Sequence, residues 1–229
     1  MASRAVVLLS GGLDSAVTFA VAKRECEEVY ALTVRYGQRH AFETGCAERI
    51  AHALGAAGHR FLDVDLASWG GSSLTFDGIV PKESGATPAE GGIPSTYVPA
   101  RNTVLLSLAL AWAEVLGAEA IYIGAHTQDA GGYPDTRPEY LRAFQQMADL
   151  ATRAGLEGRG PSIRAPLLAM GKGEVVALGR SLGIDFSLTS SCYDPTPAGD
   201  PCGRCSACIL RARGFSEAGV KDPRATRMG

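Results

Sequence analysis

Short, mainly apolar runs alternate with longer stretches of helical period along the first half of the chain. The apolar runs predict buried strands at residues 5–9, 29–34, 59–66 and 120–124. Continuous runs of this kind are typical of strands that are covered on both faces of a parallel sheet. Because the strands alternate with helices, we expect crossover connections, and the pattern predicts an α/β fold with a parallel, doubly wound sheet.

Helices are predicted between and after these strands. One runs from the glycine loop at residues 10–12 to about residue 24, and four more are predicted at 38–54, 101–116, 138–154 and 171–182. Residues 67–100 are rich in glycine, serine and proline. A connection this long is uncommon in a compact domain unless it is functional, so we interpret it as a mobile flap or insertion beside the active site.

The C-terminal part of the chain differs from the rest because four of the six cysteines lie there. Residues 188–208 are predicted to form a cysteine-bearing loop, and the tail beyond Gly214 is predicted to be irregular. We therefore divide the chain into an α/β domain at residues 1–185 and a small metal-binding region at 186–229 packed on it.

Composition and charge narrow the classes of function. The formal net charge of the 229 residues is −2, which argues against nucleic acid as a partner that is held by backbone phosphates. No apolar run reaches the ~18 residues that a membrane span requires, so no membrane association is expected. The N-terminus lacks a signal-peptide pattern, and we expect a cytoplasmic protein.

A glycine-rich loop follows the first predicted strand directly. Residues 10–15 read Ser-Gly-Gly-Leu-Asp-Ser and lead into a helix. Glycines let the backbone approach an anion, and the free N–H groups and the dipole of the helix start attract a phosphate. We expect Asp14 and Ser15 to cap this helix, and Asp14 to hold a magnesium ion that offsets phosphate charge.

The loop is not the common nucleotide-binding P-loop. That motif reads GxxxxGK[ST], with a first glycine five residues before a Gly-Lys pair. The only Gly-Lys pair here is Gly171-Lys172, and Pro166 stands where the first glycine would be. A plain structural turn is the alternative for these glycines. The whole string resembles the pyrophosphatase loop of N-type ATP-pyrophosphatases, which split ATP between its α and β phosphates and attach AMP to a carboxylate or carbonyl oxygen.

Four cysteines have the spacing of a closed metal site. Cys192, Cys202, Cys205 and Cys208 are separated by nine, two and two residues. Four thiolates complete a tetrahedral zinc site and leave no position for water, so the pattern predicts structural Zn²⁺. A redox dithiol and an iron–sulfur cluster are the alternatives. Cys26 and Cys46 stand apart and are expected to be small buried hydrophobic residues.

The loop and the cysteines together resemble one family, the 7-cyano-7-deazaguanine synthases of queuosine biosynthesis. The resemblance extends over nearly the whole chain. The strings that carry it are residues 10–15 (SGGLDS), 36–40 (YGQRH), 97–102 (YVPARN), 132–137 (GYPDTR), 166–174 (PLLAMGKGE) and the cysteine segment 192–208.

The resemblance implies an ATP-dependent carbon–nitrogen ligase with an adenine nucleotide alpha hydrolase-like fold and a homodimeric state. Its substrates are then 7-carboxy-7-deazaguanine, ATP and ammonium. ATP activates the carboxylate as an adenylate, and ammonia converts it to an amide. A second activation of the amide oxygen allows elimination to the nitrile, 7-cyano-7-deazaguanine. Mg²⁺ accompanies ATP, and the zinc is structural.

The resemblance also assigns roles to residues, and the chemistry makes these roles reasonable. The expected catalytic residues are Asp14, Ser15, Arg101 and Lys172. The expected ATP-binding residues are Leu9, Ser10, Gly11, Gly12, Leu13, Asp14, Ser15, Ala16, Val17, Thr18 and Phe19. The expected substrate-binding residues are Gln38, His40, Arg101, Asn102, Tyr133, Asp135 and Arg137.

Several of these side chains have simpler alternative roles. Arg101 could be a solvated residue at a helix start, and Lys172 could be a surface lysine. Tyr133 and Asp135 could build the turn beside Pro134. Capping of a helix is an alternative for Gln38 and His40, and His126 is open between a proton shuttle and a buried polar residue.

One position departs from the family pattern. Where the family reads Tyr-Pro-Asp-Cys-Arg, this chain has Thr136. A related ligase that stops at the amide, or that joins the acid to a different amine, is therefore an alternative. Two further alternatives are a tRNA-modifying ATP-pyrophosphatase that inserts sulfur, and a binding module that holds nucleotide and nucleic acid without chemistry.

Overall fold

A five-stranded parallel sheet forms the centre of the chain. The computed structural model describes residues 3–38, 42–75, 79–82, 92–126 and 133–225. The strands are β1 (Arg4–Leu8), β2 (Glu28–Arg35), β3 (Gly58–Asp63), β4 (Ala120–Tyr122) and β5 (Ser162–Arg164). Their order across the sheet is β3-β2-β1-β4-β5, and every neighbouring pair is parallel.

Seven α-helices accompany the sheet in the described part of the chain. They are α1 (Leu13–Glu25), α2 (Phe42–Ala53), α3 (Arg101–Leu116), α4 (Pro138–Ala151), α5 (Arg153–Leu156), α6 (Lys172–Ser181) and α7 (Ser206–Glu217). None of the helices of the described residues is both long and apolar enough to cross a membrane.

The helices cover both faces of the sheet. On one face, α3 and α4 bury residues such as Leu106 and Phe144 against β1, β2 and β4. On the other face, α1 and α2 bury residues such as Phe19 and Ile50. β1 is almost fully enclosed, which explains its unbroken apolar sequence, since a central parallel strand has no polar face. The predicted α/β fold with a doubly wound parallel sheet is thus confirmed.

The ends of several elements differ from the sequence prediction. Residue 38 is not helical, and the described part of the second helix starts at Phe42. The third strand ends at Asp63 rather than at residue 66. The helix predicted to end at residue 154 ends at Ala151, where Thr152 starts a separate turn by accepting a hydrogen bond from the Gly155 N–H. The short strand β5 was not predicted, because three residues carry too little periodicity.

The prediction of an irregular tail beyond Gly214 was wrong. α7 continues through this point to Glu217, and Phe215 is buried against Phe186, with 5.0 Å between the ring centroids. Asp222 then binds the buried guanidinium of Arg211 with two hydrogen bonds, at 2.8 and 2.9 Å. The tail is held because its apolar and charged side chains find partners elsewhere in the chain.

The described part of segment 67–100 packs on the cysteine region. Leu74, Val80 and Val98 form one apolar cluster with three of the cysteines and with Leu66. α7 in turn packs against α6, where a third cluster includes Val17 of α1 and Phe215. The cysteine region therefore shares its apolar contacts with the α/β part, and the division at residues 185 and 186 stays a prediction.

Candidate active site

A cavity of about 290 Å³ opens at the carboxyl ends of the central strands. Its floor is formed by the last residues of β1 and β2 and by residues 123–126 after β4. β1 and β4 are neighbours, and the chain leaves them toward opposite faces of the sheet. Ligands of doubly wound sheets bind at such a switch point, so the topology itself places the candidate site here.

The glycine loop forms one wall of this cavity. Gly11 has a φ of +93°, and a β-carbon built on it would lie 2.2 Å from the backbone oxygen of Glu43. Only glycine fits here, because both the backbone angle and the close approach of α2 exclude a side chain. Gly12 precedes the first residue of α1, so the start of that helix faces the cavity with its positive dipole end.

The expected capping by Asp14 and Ser15 was wrong. Both residues lie inside α1, and Gly12 occupies the capping position without a side-chain hydrogen bond. The Ser15 hydroxyl instead donates to the Gly12 carbonyl at 2.9 Å, and Ser10 donates to the Ser15 hydroxyl at 3.1 Å. These bonds tie the loop to the first turn of the helix.

The side chain of Lys172 reaches the same loop from α6. Its Nζ donates to both carboxylate oxygens of Asp14 at 2.9 Å, and the lysine side chain is only 11% exposed. α7 crosses directly behind it, since a β-carbon on Gly214 would lie 2.4 Å from Cγ of Lys172. The tertiary structure thus makes Lys172 a buried cation of the loop and excludes the alternative of a surface lysine.

Arg101 also lines the cavity. It is the first residue of α3 and follows Ala100, whose φ of 52° is unusual for a residue with a β-carbon. The guanidinium donates to the Tyr36 hydroxyl at 3.2 Å and lies over the Tyr36 ring. Burial opposes the charge, but the interactions with Tyr36, Tyr193 and Tyr133 together outweigh burial and raise the pKa of Arg101 above its ordinary value.

Asp135 supports the helix start that presents Arg101. Its carboxylate accepts a hydrogen bond from the Asn102 N–H, and the Asn102 amide donates to the Asp135 carbonyl, both at 3.0 Å. Asn102 lines the cavity, whereas Asp135 lies behind it and is 5% exposed. Asp135 therefore satisfies a backbone donor at the first turn of α3.

The turn after residue 132 places Tyr133 in the cavity wall. Its hydroxyl forms a 2.6 Å hydrogen bond with the Thr96 hydroxyl. Thr136 also lines the cavity, and its hydroxyl donates to the Tyr133 carbonyl at 2.9 Å within the same turn. Arg137 is exposed and donates to the Pro134 carbonyl at 3.2 Å, outside the cavity lining.

The remaining predicted residues that the structure describes either line the cavity or are buried without lining it. Gln38 lines the cavity, and its side-chain oxygen accepts from the Tyr36 N–H at 2.7 Å. His40 lies outside the described residues. The predicted ATP-binding residues that line the cavity are Leu9, Ser10, Gly12, Leu13, Asp14 and Ser15. The predicted ATP-binding residues that are buried without lining it are Gly11, Ala16, Val17, Thr18 and Phe19.

The cavity contains polar residues that the sequence analysis did not select. Glu43 lines it from the first turn of α2, and burial raises the pKa of Glu43 to about 7, against the opposing charge of Arg101. Tyr36, Ser190 and Tyr193 also line it. The only signal for Glu43 in the sequence was its position. It is an acidic residue in the first turn of α2, the helix that follows β2, and the carboxyl end of β2 lies at the same edge of the sheet as the glycine loop.

The four clustered cysteines meet as predicted. All four sulfur atoms lie within 4.8 Å of one another. Tetrahedral Zn–S bonds of about 2.3 Å require sulfur atoms ~3.8 Å apart, so the arrangement fits a four-thiolate metal site. Backbone N–H groups of Asp194 and Cys202 donate to the sulfur of Cys192, at 3.3 and 3.2 Å. Such bonds favour the thiolate form that a metal requires.

Two arginines that follow the cysteines in the sequence have carboxylate partners of their own. Arg211 and Arg213 bind the carboxylates of Asp222 and Glu217. Lys82 approaches the cluster instead, with its Nζ 2.6 Å from Asp194. Burial disfavours its charge, but hydrogen bonds with Asp194 and Cys202 outweigh burial and raise the pKa of Lys82.

The cysteine segment also belongs to the cavity. The Ser190 N–H donates to the Gly11 carbonyl at 2.9 Å, which joins this segment to the glycine loop. Cys192, Tyr193 and Leu210 form part of the cavity wall. A metal bound by the cysteines would therefore shape the site without offering an open coordination position.

Comparison with known proteins identifies relatives along the whole chain. The family described as "Queuosine biosynthesis protein QueC" matches residues 4–219. A 7-cyano-7-deazaguanine synthase of Paramagnetospirillum magneticum is 55% identical over 219 residues, which are 96% of each chain. A 7-cyano-7-deazaguanine synthase of Kineococcus radiotolerans is 56% identical over the same length and coverage.

Among solved structures, a 4-thiouridine synthetase in complex with RNA and ATP shares the fold. The sequence identity is 18% and the TM-score 0.51, and the match covers 95% of this chain and 50% of that chain. At this identity the likeness concerns the fold alone. It agrees with the parallel α/β fold described above.

Proposed function

This chain belongs to the QueC family of queuosine biosynthesis proteins, and we propose that it is an ATP-dependent ligase that converts 7-carboxy-7-deazaguanine and ammonia to 7-cyano-7-deazaguanine. The reaction passes through an adenylated carboxylate and an amide. The observation that supports this most directly is the cavity itself. It is lined by the glycine loop, Lys172 and Arg101, so that a triphosphate and a carboxylate would both find cationic partners in one cavity.

On the loop side, we assign ATP to residues 9–15, with its phosphates at the start of α1. Backbone N–H groups and the helix dipole attract the phosphates there. Lys172 neutralises the charge that develops on the leaving pyrophosphate, since it already reaches the loop through Asp14. Asp14 is the carboxylate that would hold Mg²⁺ with ATP, because oxygen ligands suit that ion. Ser15 is a further hydroxyl donor of the loop.

We assign the deazaguanine acid to the space between Arg101, Asn102, Tyr133 and Gln38. A guanidinium can grip a carboxylate with two parallel hydrogen bonds. Asp135 contributes by positioning Asn102. Arg137 reaches the substrate only if the turn that carries it moves, because it lies outside the cavity lining. His40 is assigned to the same substrate on the resemblance alone.

We assign Zn²⁺ to the four cysteines, with a structural role. The donor set and the sulfur distances fit it, and the cysteine segment forms a wall of the cavity. We further propose a cytoplasmic homodimer that uses free ammonium. The ligands are then small molecules, with neither nucleic acid nor membrane among them.

The test is to incubate the purified chain with Mg-ATP, ammonium and 7-carboxy-7-deazaguanine, and to identify the base and the nucleotide by mass spectrometry. We expect the nitrile with AMP. An amide as the final product would show that the second activation is lost and would point to Thr136. No product from this acid despite ATP binding would contradict the proposed acceptor.

The rival of sulfur insertion into tRNA finds less support in the cavity. Such chemistry needs a reactive cysteine beside the activated base. Cys26 and Cys46 do not line the cavity, and Cys192, which does, belongs to the metal cluster. A thiolated tRNA in a sulfur-transfer assay would revive this rival.

A further inference from the structure

Two carboxyl side chains line the cavity among the described residues, and their environments differ. The carboxylate of Asp14 is held by Lys172 through both oxygens. Among the described residues, the carboxyl group of Glu43 has neither a hydrogen bond nor an ion pair within 4.0 Å. Of the two described carboxyl groups in the cavity, Glu43 is therefore the one that stays available for a ligand.

The position of Glu43 is fixed by the backbone. The first turn of α2 lies directly on the glycine loop, because the Glu43 carbonyl would be 2.2 Å from a β-carbon on Gly11. The Glu43 side chain shares the cavity with Arg101, whose charge acts on it. Glu43 is thus held between the loop assigned to ATP and the arginine assigned to the carboxylate, where the acyl adenylate would form.

We propose that Glu43 is the general base that accepts the protons of the incoming nitrogen, an inference that rests on the proposed function. In the first step ammonia attacks the carbonyl carbon of the adenylate. A C–N bond forms, the C–O bond to AMP breaks with its electron pair leaving on AMP, and the surplus proton on nitrogen passes to the Glu43 carboxylate.

The same group serves the second activation. The amide oxygen attacks the α-phosphorus of ATP and releases pyrophosphate, which gives an adenylated C=NH2⁺ group. This cation loses one N–H proton to water and leaves a neutral imidate with a C=NH group. Glu43 takes the N–H proton while the C–O bond to AMP breaks, and the third bond of the C≡N group forms from the N–H electron pair. The products are the nitrile, AMP and a protonated Glu43, which returns its proton to water between the steps.

The pKa of Glu43 suits the role of a general base. Burial raises its pKa to about 7, so a large share is ionised near neutral pH and can take a proton. Other titratable or charged groups share the cavity and can affect the same pH range. Among the described residues they are Asp14, Tyr36, Arg101, His126, Tyr133, Lys172, Cys192, Tyr193 and Arg211.

The decisive variant is Glu43→Gln, which keeps the size of the side chain but cannot accept a proton. Glu48→Gln is its matched control, because Glu48 is an exposed glutamate of the same helix outside the cavity. Two reactions are measured for each chain. The first is the exchange of labelled pyrophosphate into ATP in the presence of 7-carboxy-7-deazaguanine, which reports adenylation alone. The second is the ammonia-dependent formation of amide and nitrile.

We expect Glu43→Gln to lower product formation about 100-fold or more, the usual range for a lost general base. The loss in pyrophosphate exchange should be at least about ten times smaller. At a fixed concentration of free ammonia, the wild-type rate should rise with pH through an apparent pKa near 7. Glu43→Gln should lack this rise, and Glu48→Gln should keep it.

Equal losses in exchange and product formation would overturn the base assignment and leave Glu43 a structural role. Unchanged product formation would overturn it as well. Both results leave the proposed function intact, because the wild-type chain still makes the nitrile. A wild-type chain that shows neither exchange nor product with this acid would instead refute the proposed function, and the role of Glu43 with it.

Discussion

Lys172 Nζ lies 2.9 Å from each carboxylate oxygen of Asp14, and the two side chains are 11% and 25% exposed. The pair joins the first turn of α6 to the first turn of α1, which come from opposite ends of the sequence. A cation is thereby fixed beside the glycine loop before any phosphate arrives, and this preorganisation is what electrostatic catalysis requires.

Replacing Lys172 with methionine should lower kcat/KM for ATP at least about 100-fold, because the charge opposite the leaving pyrophosphate is lost. Steady-state kinetics measure this, with Lys221→Met as the matched control on the exposed tail.

A double-mutant cycle of Lys172→Met with Asp14→Asn in urea unfolding should give a coupling free energy of about 1–2 kcal/mol. Coupling near zero would mean that the pair does not persist in solution.

Gly11→Ala should prevent the loop from forming, because the added carbon would meet the Glu43 carbonyl at 2.2 Å and φ is +93°. We expect a loss of about 3 kcal/mol or more in unfolding free energy together with loss of ATP binding. Gly55→Ala is the control, since φ is +65° there but nothing lies within 4 Å. It should cost about 1 kcal/mol. Equal costs at both positions would contradict the close packing of α2 on the loop.

The purified chain should contain one zinc ion per molecule, because the four thiols form a complete tetrahedral donor set. Cys205→Ser should reduce the zinc content and lower the melting temperature, while Cys26→Ser, a cysteine outside the cluster, should retain one zinc ion. Elemental analysis and thermal unfolding give both quantities. Iron in place of zinc, or full zinc content in Cys205→Ser, would refute the assignment.

Asp222→Ala should destabilise the chain by about 3 kcal/mol, because it leaves the Arg211 guanidinium buried without its counter-charge. The two side chains are 8% and 10% exposed. Glu139→Ala removes a comparable pair with Arg142 that is about two-thirds exposed, and it should cost no more than about 0.5 kcal/mol. Urea unfolding compares the two variants, and similar costs would show that the tail is not held by this pair.

Glu43→Gln should stabilise the chain more at pH 8 than at pH 5. The Glu43 pKa is about 7 in the folded chain and near 4.5 in an unfolded one, so folding favours the protonated form. Stability is therefore lost as the pH rises from about 4.5 to 7, and the glutamine variant escapes this loss. Melting temperatures at both pH values test it, with Glu48→Gln expected to follow the wild type. A difference that is independent of pH would argue against the raised pKa.

Local sequence was sufficient to predict most of the architecture. β1 and β2 are enclosed on both faces, and such strands appear in the sequence as unbroken apolar runs. The start of α3 at Arg101 and its end at Leu116 agree with the predicted bounds, because Gly117 in a left-handed conformation terminates the helix. The glycine loop and the cysteine cluster could be recognised in the sequence because the residues of each lie close together in the chain.

Long-range contacts decided what the pattern left open. The sequence predicts a loop over the start of α7 and an irregular tail beyond Gly214. It misses the helix because Phe215 and Arg211 hold α7 through contacts with residues that are distant in the sequence. Asp135 could be assigned to the substrate from the sequence. Its actual contact is with the backbone of Asn102, 33 residues earlier, and no sequence pattern encodes it.

The sequence by itself determined the alternation of strands and helices, the glycine loop, the four cysteines and the family resemblance, because each of these depends on residues that are near one another in the chain. Only the tertiary structure decided which groups share the cavity. It excluded the alternative of a surface lysine for Lys172, placed Asp135 behind the cavity instead of in it, and added Glu43 to the cavity lining. These outcomes depend on close packing between elements that are far apart in the sequence. α2 packs on the glycine loop, and α7 packs on Lys172 at the start of α6.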